Sequence, residues 1–96
     1  MNEMYKMKTI APTISVTEVE NEGLNSFLGE TITVFCAVYI YTGTLVGVGE
    51  SFIKLEAPKI VYETGAFNTK EWKDAQALPN DMYIMTGMIE SFGILK

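Results

Sequence analysis

Glu71 and Asp74 stand three residues apart, a spacing that puts two carboxylates on one face of a helix, where one could serve as acid and the other as base. Cys36 is the one thiol and a potential nucleophile. The chain has no His and no Arg; all seven basic residues are Lys. Cys36 therefore lacks an imidazole to ionise it, and acid–base work would fall to carboxylates, Lys or Tyr. Beside Lys70 and Lys73, the carboxylate pair reads as solvated surface pairing. Cys36, inside an apolar alternation, reads as a small buried hydrophobe. No catalytic residue is expected, and the protein is read as a non-enzyme.

Metal chemistry fares no better. Glu18, Glu20 and Glu22 keep a two-residue spacing that would line one side of a strand as an oxygen clamp for calcium. A solvated strand end is the simpler reading. With no His, one Cys and no clustered Asp, neither metal nor cofactor is expected. Gly43, Gly47 and Gly49 suggest a phosphate cradle, but their spacing fits neither common glycine fingerprint, and β-branched residues fill the gaps. Glycines that let a strand bend and turn are the better account.

Binding has stronger candidates. Tyr39, Tyr41, Tyr62, Phe67 and Trp72 are read as an aromatic wall, with Lys59, Lys70 and Lys73 supplying positive potential near it. Tyr41, Tyr62, Phe67, Lys70, Trp72 and Lys73 are the expected ligand-binding residues. The combination suits one small anionic, nucleotide-like ligand better than a long phosphate backbone. Twelve carboxylates bring the net charge to −5, which argues against duplex DNA as a partner.

The elements that must position these residues are mostly strands. Ninety-six residues make one domain, with about 60–65% of its unfolded surface buried, so a partner subunit would help its stability. The lone Cys, the lack of a leader pattern at Met1 to Pro12 and the absence of a long apolar run lead to a cytoplasmic protein without a membrane segment. Residues 1–8 are expected to be flexible, although Met1, Met4 and Met7 share helical spacing. Thr9 to Val19 alternates as one strand, and Leu24, Phe27 and Leu28 are expected to anchor the loop that follows.

Thr31 to Tyr41 is read as one long strand, with Ile32, Val34, Cys36, Val38 and Ile40 on one side. Ser51 to Leu55 forms the next, kinked at Pro58 and resuming from Lys59 to Tyr62. Asn68 and Glu71 have the spacing of a helix cap, which predicts a helix from Thr69 to about Ala77 within an insertion over about 67–78. Met82 to Thr86 and Met88 to Ile94 are the last strands, with Tyr83, Met85, Ile89 and Phe92 as core candidates.

These short, bent strands predict a mainly β fold with one short helix: a small, strongly bent antiparallel barrel over about 31–95, the helix inserted between strands 3 and 4. "GTLVGVGESFIKLEAPKIV" resembles the central strands of Sm-like and Hfq-like proteins, and "YIMTGMIESFGIL" their closing pair, a barrel of the Sm-like/SH3-like kind. That resemblance implies a homo-oligomer, such as a ring, and offers an RNA-binding alternative. The RNA pocket is not matched: the strand offers Phe52, Ile53 and Lys54 with no Asn, and Thr86 precedes Gly87. The stretch also looks like small tailed-phage proteins that pair a G-x-L strand with Y-x-x-G-A, here Tyr62 to Ala66. This likeness implies a phage-encoded accessory protein in the host cytoplasm, one that counters host defence by sequestering a host factor or nucleotide signal. A minor structural virion protein is the remaining alternative.

Overall fold

The structure, a computed structural model, describes the backbone of residues 8–10 and 14–16 and the whole of residues 22–96. The expectations for residues 1–7 and for Glu18 and Glu20 lie outside the described residues; Glu22 is exposed. The single strand expected from Thr9 to Val19 is instead two short ones, β1 (Lys8–Ile10) and β2 (Ile14–Val16), paired antiparallel with Ile10 opposite Ile14. Pro12, which has no amide proton to give a ladder, lies between them in the sequence.

The remaining strands are β3 (Thr31–Cys36), β4 (Ile40–Val48), β5 (Phe52–Glu63), β6 (Asp74–Ala77), β7 (Met82–Met85) and β8 (Ile89–Gly93). They form one antiparallel sheet in the order β6-β5-β4-β3-β8, with β7 also on β5. The fold is mainly β, as the alternation predicts. The sheet does not close into the expected barrel. A 3-10 turn, Thr86–Met88, joins β7 to β8, yet β7 pairs with β5 and β8 with β3, and no ladder links the two borders.

The long strand expected over Thr31 to Tyr41 turns back on itself. Cys36 N–H donates to the Tyr39 carbonyl at 2.9 Å, and Ala37 N–H to the Met88 carbonyl at 3.2 Å. β3 and β4 are therefore a hairpin, with Val34 opposite Tyr41.

β5 is the spine. One edge pairs with β4 from Val61 to Ile53. Along the other edge Phe52–Leu55 takes β7, and Lys59–Glu63 takes β6. The switch falls at Ala57, whose φ of 49° is left-handed, next to the buried Pro58. At the same level β4 carries a bulge between Thr42 and Thr44, with Gly43 between them. A Cβ on Gly43 would stand 3.1 Å from the Glu56 carbonyl oxygen and 3.2 Å from Pro58 Cα, so only glycine lets the strands pass this closely.

Successive strand residues face opposite sides, and the two sides differ sharply. Ile32, Val34, Leu45, Ile53, Leu55 and Ile84 form the buried core, and Leu24 and Phe27 pack against it as expected; Leu28 is exposed. Burying such side chains contributes about 1.5–3 kcal/mol each. β7 runs with the opposite parity to the one expected: Ile84 is the buried residue, while Tyr83 and Met85 face outward. Ile89 packs on the core, and Phe92 meets Phe27 edge to face at 6.0 Å. On the other side of the β3–β4 hairpin the register puts Thr31 opposite Thr44 and Thr33 opposite Thr42. The Thr42 hydroxyl is buried and donates to the Ile32 carbonyl at 2.8 Å.

The helix expected from Thr69 to Ala77, in the insertion over about 67–78, is absent. Residues 64–73 form turns and bends, and Asp74–Ala77 are β6. The physical reason is the free edge of β5, whose amides and carbonyls take Ala75 opposite Val61 and Gln76 opposite Ile60. Among the described residues no helix is long and apolar enough to cross a membrane.

Candidate functional site

The threonine side of β4, the β5 kink and the loop before β6 enclose a groove of about 590 Å³. Its floor is Thr42, Gly43 and Thr44 of β4, Thr31 of β3 and Ala57. The walls carry four of the seven lysines, Lys59, Lys70, Lys73 and Lys96. Glu71 and Asp74 are the two carboxylates that line it, so the groove carries a formal surplus of positive charge on a chain of net charge −5. Among the described residues the one ion pair, Lys54 to Asp81 at 3.6 Å, lies outside this groove.

Trp72 lines the groove half-buried, with the ammonium of Lys96 4.7 Å from the centre of its ring. That ammonium donates to the carbonyls of Glu71 at 2.7 Å, Thr64 at 2.8 Å and Ala66 at 3.0 Å. The Thr69 hydroxyl lies 3.4 Å from it, and the Phe67 ring centre 5.9 Å. The loop is also tied within itself. Thr69 N–H and the Thr69 hydroxyl donate to the Ala66 carbonyl, Lys73 N–H donates to the Thr64 carbonyl, and Gly65 supplies a left-handed φ of 71°.

The expected ligand-binding residues are divided by the fold. Lys70, Trp72 and Lys73 line the groove together, and Phe67 joins them through Lys96. Tyr41 instead lines a separate apolar hollow of about 290 Å³ with Cys36, Tyr39, Met82, Met85 and Met88. Tyr62 lines neither cavity and is exposed. The aromatic wall is therefore two pairs: Tyr39 with Tyr41, edge to face at 6.2 Å, and Phe67 with Trp72 around Lys96. Glu71 and Asp74 both reach the groove, but from a bend and a strand and not from one helix face.

Sequence reasoning missed Lys96, and nothing in its neighbourhood marks it as the partner of a loop 25 to 32 residues earlier. The threonine floor did leave a signal, in the polar parity of Thr31, Thr33, Thr42 and Thr44. Gly43 and Gly47 sit within β4 and Gly49 just after it, which is strand geometry and not a phosphate cradle.

The electrostatics of the hollow favour neutral side chains. Burial, and then the negative charge of Glu90, push the Cys36 thiol above its ordinary range. Burial pushes the Tyr41 phenol up as well, reinforced by Cys36, Tyr39 and Tyr62. Both groups stay protonated at neutral pH. No family model matches the chain, and no curated protein or solved structure matches it either.

Proposed function

We propose that this is a non-enzymatic binding protein whose lysine-lined groove holds a small anionic, nucleotide-like ligand and acts by occupancy. The observation that carries the reading is the gathering of Lys59, Lys70 and Lys73 with Trp72 over a floor of threonines, with the carbonyl-bound Lys96 adding positive charge beside them. Lysine ammoniums are point donors for phosphate oxygens, threonine hydroxyls add neutral hydrogen bonds, and an indole offers a stacking face. A groove of this size takes one small molecule and not a polymer track. A phage-encoded accessory role, in which such sequestration would counter host defence in the host cytoplasm, rests on the Y-x-x-G-A likeness of Tyr62 to Ala66. The Sm-like/SH3-like reading draws support from the bent β5 and from the order β8-β3-β4-β5-β7 along the sheet. Self-association belongs to the proposal and is supported by the exposed apolar rim of Val38, Tyr39, Met85 and Met88 beside the hollow.

The test is a thermal-shift and Trp72-fluorescence screen against mononucleotides and cyclic oligonucleotides at low ionic strength. A true ligand at about 100 times its Kd adds about 2.7 kcal/mol, a shift of about 10–20 °C for a domain of this size. The double variant Lys70→Ala, Lys73→Ala should weaken it about a hundredfold or more, since hydrogen bonds to charged groups contribute about 1.5–3 kcal/mol each. No shift by any anionic ligand, with unchanged Trp72 emission, would remove the proposal. Light scattering across a dilution series tests self-association separately.

A further inference from the structure

The contacts of Lys96 describe a binding site of a second kind. A primary ammonium has three N–H donors, and three carbonyl oxygens of the 64–72 loop converge on Nζ within 3.0 Å. Trp72 and Phe67 supply the aromatic faces that attract a cation. Charge is recognised here by backbone dipoles and ring quadrupoles, with no carboxylate among these contacts. The loop is held in shape by its own bonds, Thr69 to Ala66 and Lys73 to Thr64, so its form does not depend on the guest alone.

We propose that the 64–72 loop is a receptor for an unmodified primary alkylammonium, the end of a lysine side chain, and that Lys96 is its built-in occupant. An external lysine or alkylamine takes the site once Lys96 is withdrawn. The geometry sets the selectivity. A quaternary ammonium satisfies the rings but has no N–H for the three carbonyls, and a guanidinium presents a planar fork where the acceptors converge on one point. The inference shares Lys96 and Trp72 with the anionic-ligand reading but rests on the carbonyl lining of the loop, and its probe carries no negative charge, so failure of one reading leaves the other standing.

The experiment uses the full chain with Lys96→Ala, and Lys96→Met as a second variant that keeps the aliphatic stem. Emission of Trp72, the sole tryptophan, is followed during titration with n-butylammonium. A saturable change is expected in the variants below about 100 mM, with the wild type needing about tenfold more because Lys96 competes from within. Tetramethylammonium and potassium chloride, at matched ionic strength, should give no saturable change. The proposal is overturned if folded variants do not respond, if potassium or tetramethylammonium responds equally, or if wild type and variants respond alike. Loss of the sheet in both variants, seen by far-ultraviolet circular dichroism, would make Lys96 a structural staple and overturn it too.

Discussion

Replacing Gly43 by Ala tests the crossing of β4 over the β5 kink. The added Cβ would meet the Glu56 carbonyl oxygen at 3.1 Å, Leu55 Cβ at 3.2 Å and Pro58 Cα at 3.2 Å. Two of these are backbone atoms, and all three belong to a segment pinned by Ala57 and by the bond from Leu78 N–H to the Pro58 carbonyl at 2.9 Å. The strand must therefore shift by a few tenths of an ångström. Overpacking of this kind costs about 1–3 kcal/mol. Against it stands a gain of about 0.4–1 kcal/mol from the stiffer unfolded chain, because Gly43 has no left-handed φ to defend. The net expectation is a loss of about 1–2 kcal/mol, or about 5–15 °C in Tm. Gly47→Ala is the internal control: its Cβ meets only Lys54 Cβ, at 3.4 Å, so the entropy gain should stand alone at about 0.5 kcal/mol. Urea titration by far-ultraviolet circular dichroism reads both, with equal slopes required for the comparison. A Gly43→Ala protein as stable as the wild type would refute the close crossing.

Ala57→Gly should stabilise by about 0.5 kcal/mol, since relief of a left-handed alanine, about 1–2 kcal/mol, exceeds the added chain entropy; Tm should rise by a few degrees. Thr42→Val removes a buried hydroxyl from the Ile32 carbonyl and should cost about 1 kcal/mol in urea titration, with Thr42→Ser retaining part of it. Cys36, its pKa raised by burial and Glu90, should react with iodoacetamide at pH 8 more slowly than a free cysteine. Glu90→Gln removes the negative charge, lowers that pKa, increases the thiolate fraction and should speed the reaction.

Where side-chain pattern and backbone need agreed, the fold was legible. The β5 halves around Pro58 and the last two strands around Gly87 lie within a few residues of their expected positions. The β3–β4 turn was hidden because Cys36 to Tyr39 contains no Gly, Pro, Asn or Asp; part of its hydrogen bonding comes from Met88, far along the chain. The false helix has the same cause. Asn68 and Glu71 match a local cap pattern, but the open edge of β5 took Asp74–Ala77, and the carbonyls of Thr64, Ala66 and Glu71 went to Lys96. Lys70, Trp72 and Lys73 line one groove because they sit together in sequence, whereas strand parity carries Tyr41 to the core side.

The pairing of β8 with β3 has a consequence for how the molecule opens. Most ladders in the large sheet join strands close along the chain, whereas β8 closes a span from Thr33 to Gly93. Contacts that enclose so long a loop form late and open early, so amides of β8 should lose deuterium protection before those of β5. Lys96 follows β8 by three residues and reaches back to the loop beside the groove. Detachment of this one border strand would therefore strip the groove of a cation and leave three carbonyls without their guest in the same event. Under the proposed reading, occupancy of the groove and closure of β8 would be thermodynamically linked through a single lysine.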